Sequence, residues 1–285
     1  APIEQTPVQQ AQEYLAASSI DAWLVYDYQG MNPALGDVLQ MSDFMTRPAF
    51  LLVRPEGRPT LLVSVVDVGQ GDASEVDLRP CVGLREVHRE LEVALAGLQT
   101  VAMEYSPMRE LPRASRVDAG TVELVRSLGP EVISSAELLQ YATQRWTSAG
   151  LASHRRAVEA ISSIVLNAFG EIGAGLAVGV SEHDIHAYIT DQFSRAGLVA
   201  DHGPVVAANR HASDPHFSPT PEASVRFAPG DWVLIDLWAK EADEGSVYAD
   251  ITWTAYIGDR VPSDHQRVFD VVTGGRDAAV EFLTG

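Results

Sequence analysis

The chain holds one cysteine in 285 residues, no internal repeat and no low-complexity tract, and its basic side chains are outnumbered, 20 Lys plus Arg against 39 Asp plus Glu. Each shortage removes a class of explanation. A lone Cys81 permits no intramolecular disulfide, so the fold is not a disulfide scaffold and a reducing compartment is the natural setting. Cys81 sits in DLRPCVGL with no histidine beside it, and reads as half-buried packing rather than a nucleophile. A net charge of −19 repels polyphosphate and anionic headgroups, which argues against nucleic acid or a membrane as a general partner. No uninterrupted apolar run is long enough to span a bilayer, and APIEQTPVQQ lacks the basic-then-apolar pattern of a secretory leader. The expectation is a cytoplasmic globular protein.

What is present supports a packed core: 46% of residues are hydrophobic and 21% charged, over a length that suits two domains. The first half alternates helical and strand-like stretches. VQQAQEYLAASSI has helical spacing, whereas DAWLVYDY, PAFLLVRPEG and PTLLVSVVDV are short, apolar and β-branched, the last two joined by a predicted hairpin turn at Arg54 to Gly57. LREVHRELEVALAGL places Leu84, Val87, Leu91 and Leu95 on one helical stripe. TVAMEYS, VDAGTVELVRSLG and EVISSAELL complete an α/β domain with a mixed sheet over residues 1–145.

Patterning lapses in YATQRWTSAG, and a second domain is expected over residues 146–285. It opens with a long helix starting between Ser148 and Ser153. Ser181 and Asp184 have capping-box spacing for a second helix that buries Ile185, Tyr188, Ile189 and Phe193 and stops at Gly197. Strands follow from about Pro204, then a helix from about Pro262 to Phe282.

Within this half, VLIDLWAKEADEGSVYADITWT raises a chemical question, because two runs with the look of buried strands each carry a carboxylate, Asp236 and Asp250. Alternation gives Trp232, Leu234, Asp236 and Trp238 one face, and Tyr248, Asp250, Thr252 and Thr254 another. A hairpin folded symmetrically about residue 243 sets the aspartates opposite each other, with Cβ atoms about 5 Å apart. Like charges so close raise a pKa unless something compensates. A pair of divalent cations, spaced by about 3.5–4 Å in dinuclear hydrolases, is one compensator; exposure of one aspartate at a sheet edge, with the other bonded to backbone at a bulge, is the alternative.

Residues 203 to 254 resemble the catalytic domain of the prolidase, aminopeptidase P and creatinase superfamily, the pita-bread metallopeptidases. The resemblance lies in Leu234-Ile235-Asp236, in Tyr248-Ala249-Asp250-Ile251-Thr252-Trp253-Thr254, in the Gly203-Pro204 stretch and in Pro215-His216-Phe217. It implies an α/β (α+β) chain: a creatinase-like N-terminal mixed-sheet domain, then an incomplete pita-bread domain with an antiparallel sheet flanked by helices. It also implies that Asp236 and Asp250 are metal ligands, Asp250 bridging, and that His216 stabilises an oxyanion or moves a proton. Residues near His202 and His211 line the substrate pocket in relatives, which marks both as substrate-binding candidates, although polar loop histidines are common. The implied cofactors are two divalent ions (Mn, Co or Zn), the implied substrate a short peptide cleaved at an N-terminal Xaa-Pro bond, and the implied assembly a homodimer.

Two departures stand out. Trp253 occupies a position where many relatives have Arg, and the turn between the aspartates is longer than in typical prolidases. Relatives also draw a histidine and two glutamates from sequence beyond the second aspartate, where this chain offers only His265 and Glu281, about 24 Å apart along one helix. The expectation is therefore a longer parent metallopeptidase, with the polypeptide inactive by itself. A metal-free creatinase-like hydrolase and a non-catalytic peptide- or protein-binding module are the rival readings. His183 and His186 do not form an HExxH pair and read as a solvated helix face; VGQGDAS lacks the third glycine of a dinucleotide fingerprint; Ser181 lacks a nucleophile-elbow context.

Overall fold

The computed structural model describes residues 4–41, 45–70, 75–243 and 245–285, so Gly71 to Ser74 of the VGQGDAS stretch lie outside the described residues. The chain divides into two compact units, Ala1–Thr147 and Ser148–Gly285.

The first unit is built on six strands: β1 (Ala22–Asp27), β2 (Ala49–Val53), β3 (Thr60–Ser64), β4 (Asp77–Cys81), β5 (Thr100–Met103) and β6 (Glu131–Ser134). Their order in the sheet is β4-β3-β2-β1-β5-β6. The first three pair antiparallel, across the expected turn at Arg54 to Gly57, and the outer pairs are parallel, which makes the sheet mixed. Among the described residues, α-helices α1 (Pro7–Ala16), α2 (Ala34–Leu39), α3 (Leu84–Leu95), α4 (Ala119–Ser127) and α5 (Ala136–Thr143) accompany it. One face of the sheet, including Trp23 and Val25, packs with Leu15, Leu35 and Leu138 of α1, α2 and α5. Alternate residues Ala22 and Leu24 pack with Leu91, Leu95 and Val125 of α3 and α4. Coverage on both faces explains why β1 is buried at every position and reads as a continuous apolar run.

Two first-unit expectations need adjustment. Leu84, assigned to the buried stripe of α3, is 64% exposed, because it is the first residue of the helix and projects beyond the sheet; Val87, Leu91 and Leu95 are buried. Cys81 is fully rather than half buried, and burial pushes its thiol pKa up, which suits packing.

The second unit starts with α6 (Ser148–Gly175) and α7 (Glu182–Arg195), followed by β7 (Leu198–Val199), β8 (Val205–Ala208), β9 (Trp232–Glu241), β10 (Ala249–Tyr256) and α8 (Ser263–Thr284). The capping box at Ser181 and Asp184 is formed. β9 is the organising strand, paired antiparallel along its length with β10, over its first half with β8 and at its end with β7. Its inner residues Val233, Ile235, Leu237 and Ala239 are buried against Ala157, Ile161, Val165 and Ala168 of α6 and Ile185 and Ile189 of α7. α6 also fixes the end of the hairpin. Ser153 Oγ accepts from Val247 N–H at 3.1 Å, and Arg156 forms a bidentate pair with Glu241 at 2.7 Å.

By length and composition Ser148–Val178 is long and apolar enough to cross a membrane, although charged residues such as Arg156, Glu159 and Glu171 interrupt it, so it is not the uninterrupted apolar run the expectation concerned. The apolar character has a local cause. Ile161, Ile164, Val165, Ala168 and Ile172 form the core face of α6.

Candidate metal centre on an open sheet face

The outward face of the β9–β10 hairpin carries both aspartates. In the observed register Asp236 pairs with Thr252 and Asp250 with Trp238, so the carboxylates share a face and stand diagonally, one pairing step apart. The symmetric hairpin expected from the sequence is thus corrected by two residues. Gly245, in the left-handed region at φ 77°, and the Ser246 N–H to Asp243 carbonyl bond of 3.2 Å move the reversal later than residue 243. Diagonal neighbours have Cα atoms about 7–8 Å apart. This spacing leaves more room for a pair of cations between the side chains than direct opposition does.

The face is also less buried than expected: Asp236, Leu234 and Trp238 are half-buried, and Asp250 and Thr252 are exposed. Only the opposite face is core. Thr252 Oγ1 donates to Asp236 Oδ1 at 2.5 Å, whereas no donor among the described residues reaches Asp250. Burial raises the Asp250 carboxyl above its ordinary pKa, and the neighbouring Asp236 charge raises it further. A like-charge pair with spare oxygen lone pairs suits a hard divalent cation. It does not close a ligand set, since no group of three or more His, Cys, Asp or Glu able to hold a metal occurs among the described residues. Asp236 and Asp250 therefore fit part of a metal centre.

Beside them lies a groove of 980 Å³ lined by Asn209, Trp232, Leu234, Thr252, Trp253 and, from α8, His265 and Phe269 among others. The His265 ring meets Trp232 edge-on at 5.4 Å, seating the start of α8 against the sheet, while Glu281 lies in the last turn of the same helix. No residue of α8 is buried.

The three loop histidines occupy different settings. His216 is exposed, its backbone N–H bound to Asp214 Oδ1 at 3.0 Å. His202 has a side chain 78% exposed, 3.3 Å from Asp201, and Asp201 also accepts from Trp238 Nε1 at 2.7 Å on the aspartate face. His211 points inward, with Nδ1 at 2.9 and 3.0 Å from the two carboxylate oxygens of Glu182 and its ring stacked on Phe217 at 4.3 Å. His183 and His186 are not a solvated face, as expected from the sequence. They are half-buried, with Nδ1 atoms 3.4 Å from the Pro219 carbonyl and 2.7 Å from the Pro204 carbonyl, because the loops after β7 and β8 fold back over α7. A Cβ on Gly203 would come within 2.5 Å of the His186 ring, so only glycine fits there without rearrangement. Sequence reasoning missed Glu182. An acidic residue in a first helical turn is ordinary, and nothing local marks it as buried.

The model of metallopeptidase family M24 matches residues 152–284. This segment is similar to that family's domain. The match takes in β9, β10 and both aspartates, and falls just short of half the chain. No curated protein matches. Among solved structures, the chain is similar to the dipeptidase PepE of Mycobacterium ulcerans (TM-score 0.67, 21% identity, covering 91% of this chain and 66% of that one). It is also similar to the prolidase of Pyrococcus horikoshii OT3 (0.60, 19%, 96% and 71%). A third is the X-prolyl aminopeptidase of Caenorhabditis elegans (0.58, 18%, 91% and 42%), described as a cytosolic enzyme with a di-nuclear active site. The chain thus spans about two-thirds, or less, of the length of these relatives. At such identities the likeness establishes the fold: a creatinase-type mixed-sheet unit and a pita-bread-type unit with an antiparallel sheet.

Proposed function

We propose that this M24-like domain belongs to a metal-dependent aminopeptidase or dipeptidase that hydrolyses an N-terminal Xaa-Pro or related bond in short peptides. The observation that carries the reading is the placement of Asp236 and Asp250 on one open face, one pairing step apart, with Asp250 lacking any protein donor among the described residues. These two carboxylates would contribute to holding divalent cations, of which Mn, Co and Zn suit an oxygen and imidazole set. When bound, the cations would supply water activation and carbonyl polarisation. The Thr252 hydroxyl, donating to Asp236 Oδ1, orients that carboxylate and leaves its other oxygen available.

His216, exposed on the loop before β9, would stabilise the developing oxyanion or move a proton. His202, at the rim beside Asp201, and His211 would line the substrate pocket, and the Trp232, Trp253 and Phe269 groove offers apolar surface for a peptide side chain. A homodimer and a cytoplasmic setting belong to the same proposal, on the resemblance and the single buried cysteine.

The test is hydrolysis of Xaa-Pro dipeptides and Xaa-Pro-Xaa tripeptides by protein supplied in turn with Mn²⁺, Co²⁺ and Zn²⁺. Turnover that vanishes in Asp236→Asn and Asp250→Asn supports the reading. Turnover undiminished by chelator would instead favour a metal-free creatinase-like hydrolase. Peptide binding that survives both substitutions, without turnover, would favour a non-catalytic module.

A further inference from the structure

Glu182 is 0% exposed, yet it is a carboxylate, and the proposed chemistry makes no use of it. Three donors converge on it. Ala208 N–H reaches Oε1 at 2.6 Å, Val225 N–H reaches Oε2 at 2.9 Å, and His211 Nδ1 lies within 3.0 Å of both oxygens. Ala208 and Val225 bracket the loop that carries His211 and His216, so a single side chain from α7 closes the base of that loop and grips a residue inside it. The Glu182 backbone adds a fourth tie, donating to the Val225 carbonyl at 3.1 Å.

We propose that Glu182 and His211 are positioning residues for His216, a reading that rests on the peptidase role given to His216 above. The Ala208 and Val225 N–H groups make both Glu182 oxygens acceptors, so the proton shared with His211 lies on Nδ1 and the imidazole is held in that tautomer. The fixed ring stacks on Phe217, the residue directly after His216, and Phe217 N–H is bound to the Asp214 carbonyl at 3.1 Å. The chain from Glu182 through His211 to Phe217 sets the backbone that presents His216, while His216 itself stays exposed to meet a substrate. Supporting groups that orient a reacting side chain commonly change turnover by ~10–100-fold.

The test uses the ¹⁵N-labelled full chain and the variants Glu182→Gln and His211→Phe. Gln keeps the size of the side chain but brings an NH₂ group against donors, so one of its three contacts is lost. In the wild type, imidazole ¹⁵N shifts should report His211 protonated at Nδ1. In Glu182→Gln, amide exchange at Ala208 or Val225 should rise by ~10-fold or more, as for one lost buried hydrogen bond. The His216 ring resonances should move or broaden at temperatures well below unfolding, which a merely structural contact would not cause. Where Glu182→Gln does not fold, His211→Phe carries the same His216 readout, since Phe preserves the stacking and leaves the carboxylate on the two amides.

With Mn²⁺-loaded protein, kcat should fall ~10-fold or more in Glu182→Gln while KM changes little. The tautomer and exchange results judge the clasp independently of turnover, so a failure of the peptidase reading is distinguishable from a failure of this proposal. His211 protonated at Nε2, or His216 resonances identical to wild type in every folded variant, would overturn the proposal.

Discussion

Glu104 of the first unit and Asp250 of the second are both carboxylates at strands, and they are handled in opposite ways. Glu104 follows β5, is 0% exposed, and accepts from Trp23 Nε1 at 2.6 Å, Asn32 Nδ2 at 2.7 Å and Ser135 Oγ at 2.9 Å. Burial pushes its pKa up and the three donors pull it back. Asp250 stands on an open face, raised by burial and by Asp236, with no donor answering it among the described residues. The first carboxylate is a closed structural joint of the mixed sheet. The second has lone pairs to spare, which suits the cation role proposed for it.

The contrast can be broken at either end. Glu104→Ala should have the largest effect, costing about 3–5 kcal/mol in urea unfolding, because a cavity opens and three buried donors are stranded. A cost below about 1 kcal/mol would show that the joint is replaceable. Leu91→Ala, between α3 and the sheet, should cost about 2–4 kcal/mol by the same measurement. Asp250→Asn should act in the other direction. With its folded pKa raised, the ionised group opposes folding, so the wild type loses stability as pH rises through that pKa and regains it below the unfolded value. Removing the charge should therefore raise the melting temperature of metal-free protein slightly at neutral pH, and the gain should fade in acid. Leu84→Ala, at the exposed start of α3, should change stability by no more than about 0.5 kcal/mol, and a larger loss would mean the residue is covered in solution.

Local signals in the sequence proved legible. The Ser181 and Asp184 capping box, the alternation on β9, the turn at Arg54 to Gly57 and the Val87, Leu91 and Leu95 stripe of α3 each depend on neighbours a few residues apart. The shared face of Asp236 and Asp250 was legible for the same reason, since it needs only period-two alternation. Their register was not, because the Gly245 backbone and one turn hydrogen bond decide it, and moving the centre of reversal by one residue slides the pairing by two. Glu182 was missed, and His183 and His186 were misjudged, because their partners lie 18 to 43 residues away in loops that fold back over α7. No pattern within a helix announces such contacts.

The claim on which the function rests is that Asp236 and Asp250 act together on a divalent cation. Electron paramagnetic resonance titration of Mn²⁺ into the purified chain, with Asp236→Asn and Asp250→Asn alongside, tests it most directly. The account predicts that the wild type takes up Mn²⁺ and that either substitution weakens uptake by ~10-fold or more, about 1.4 kcal/mol. Equal uptake by all three proteins would contradict it.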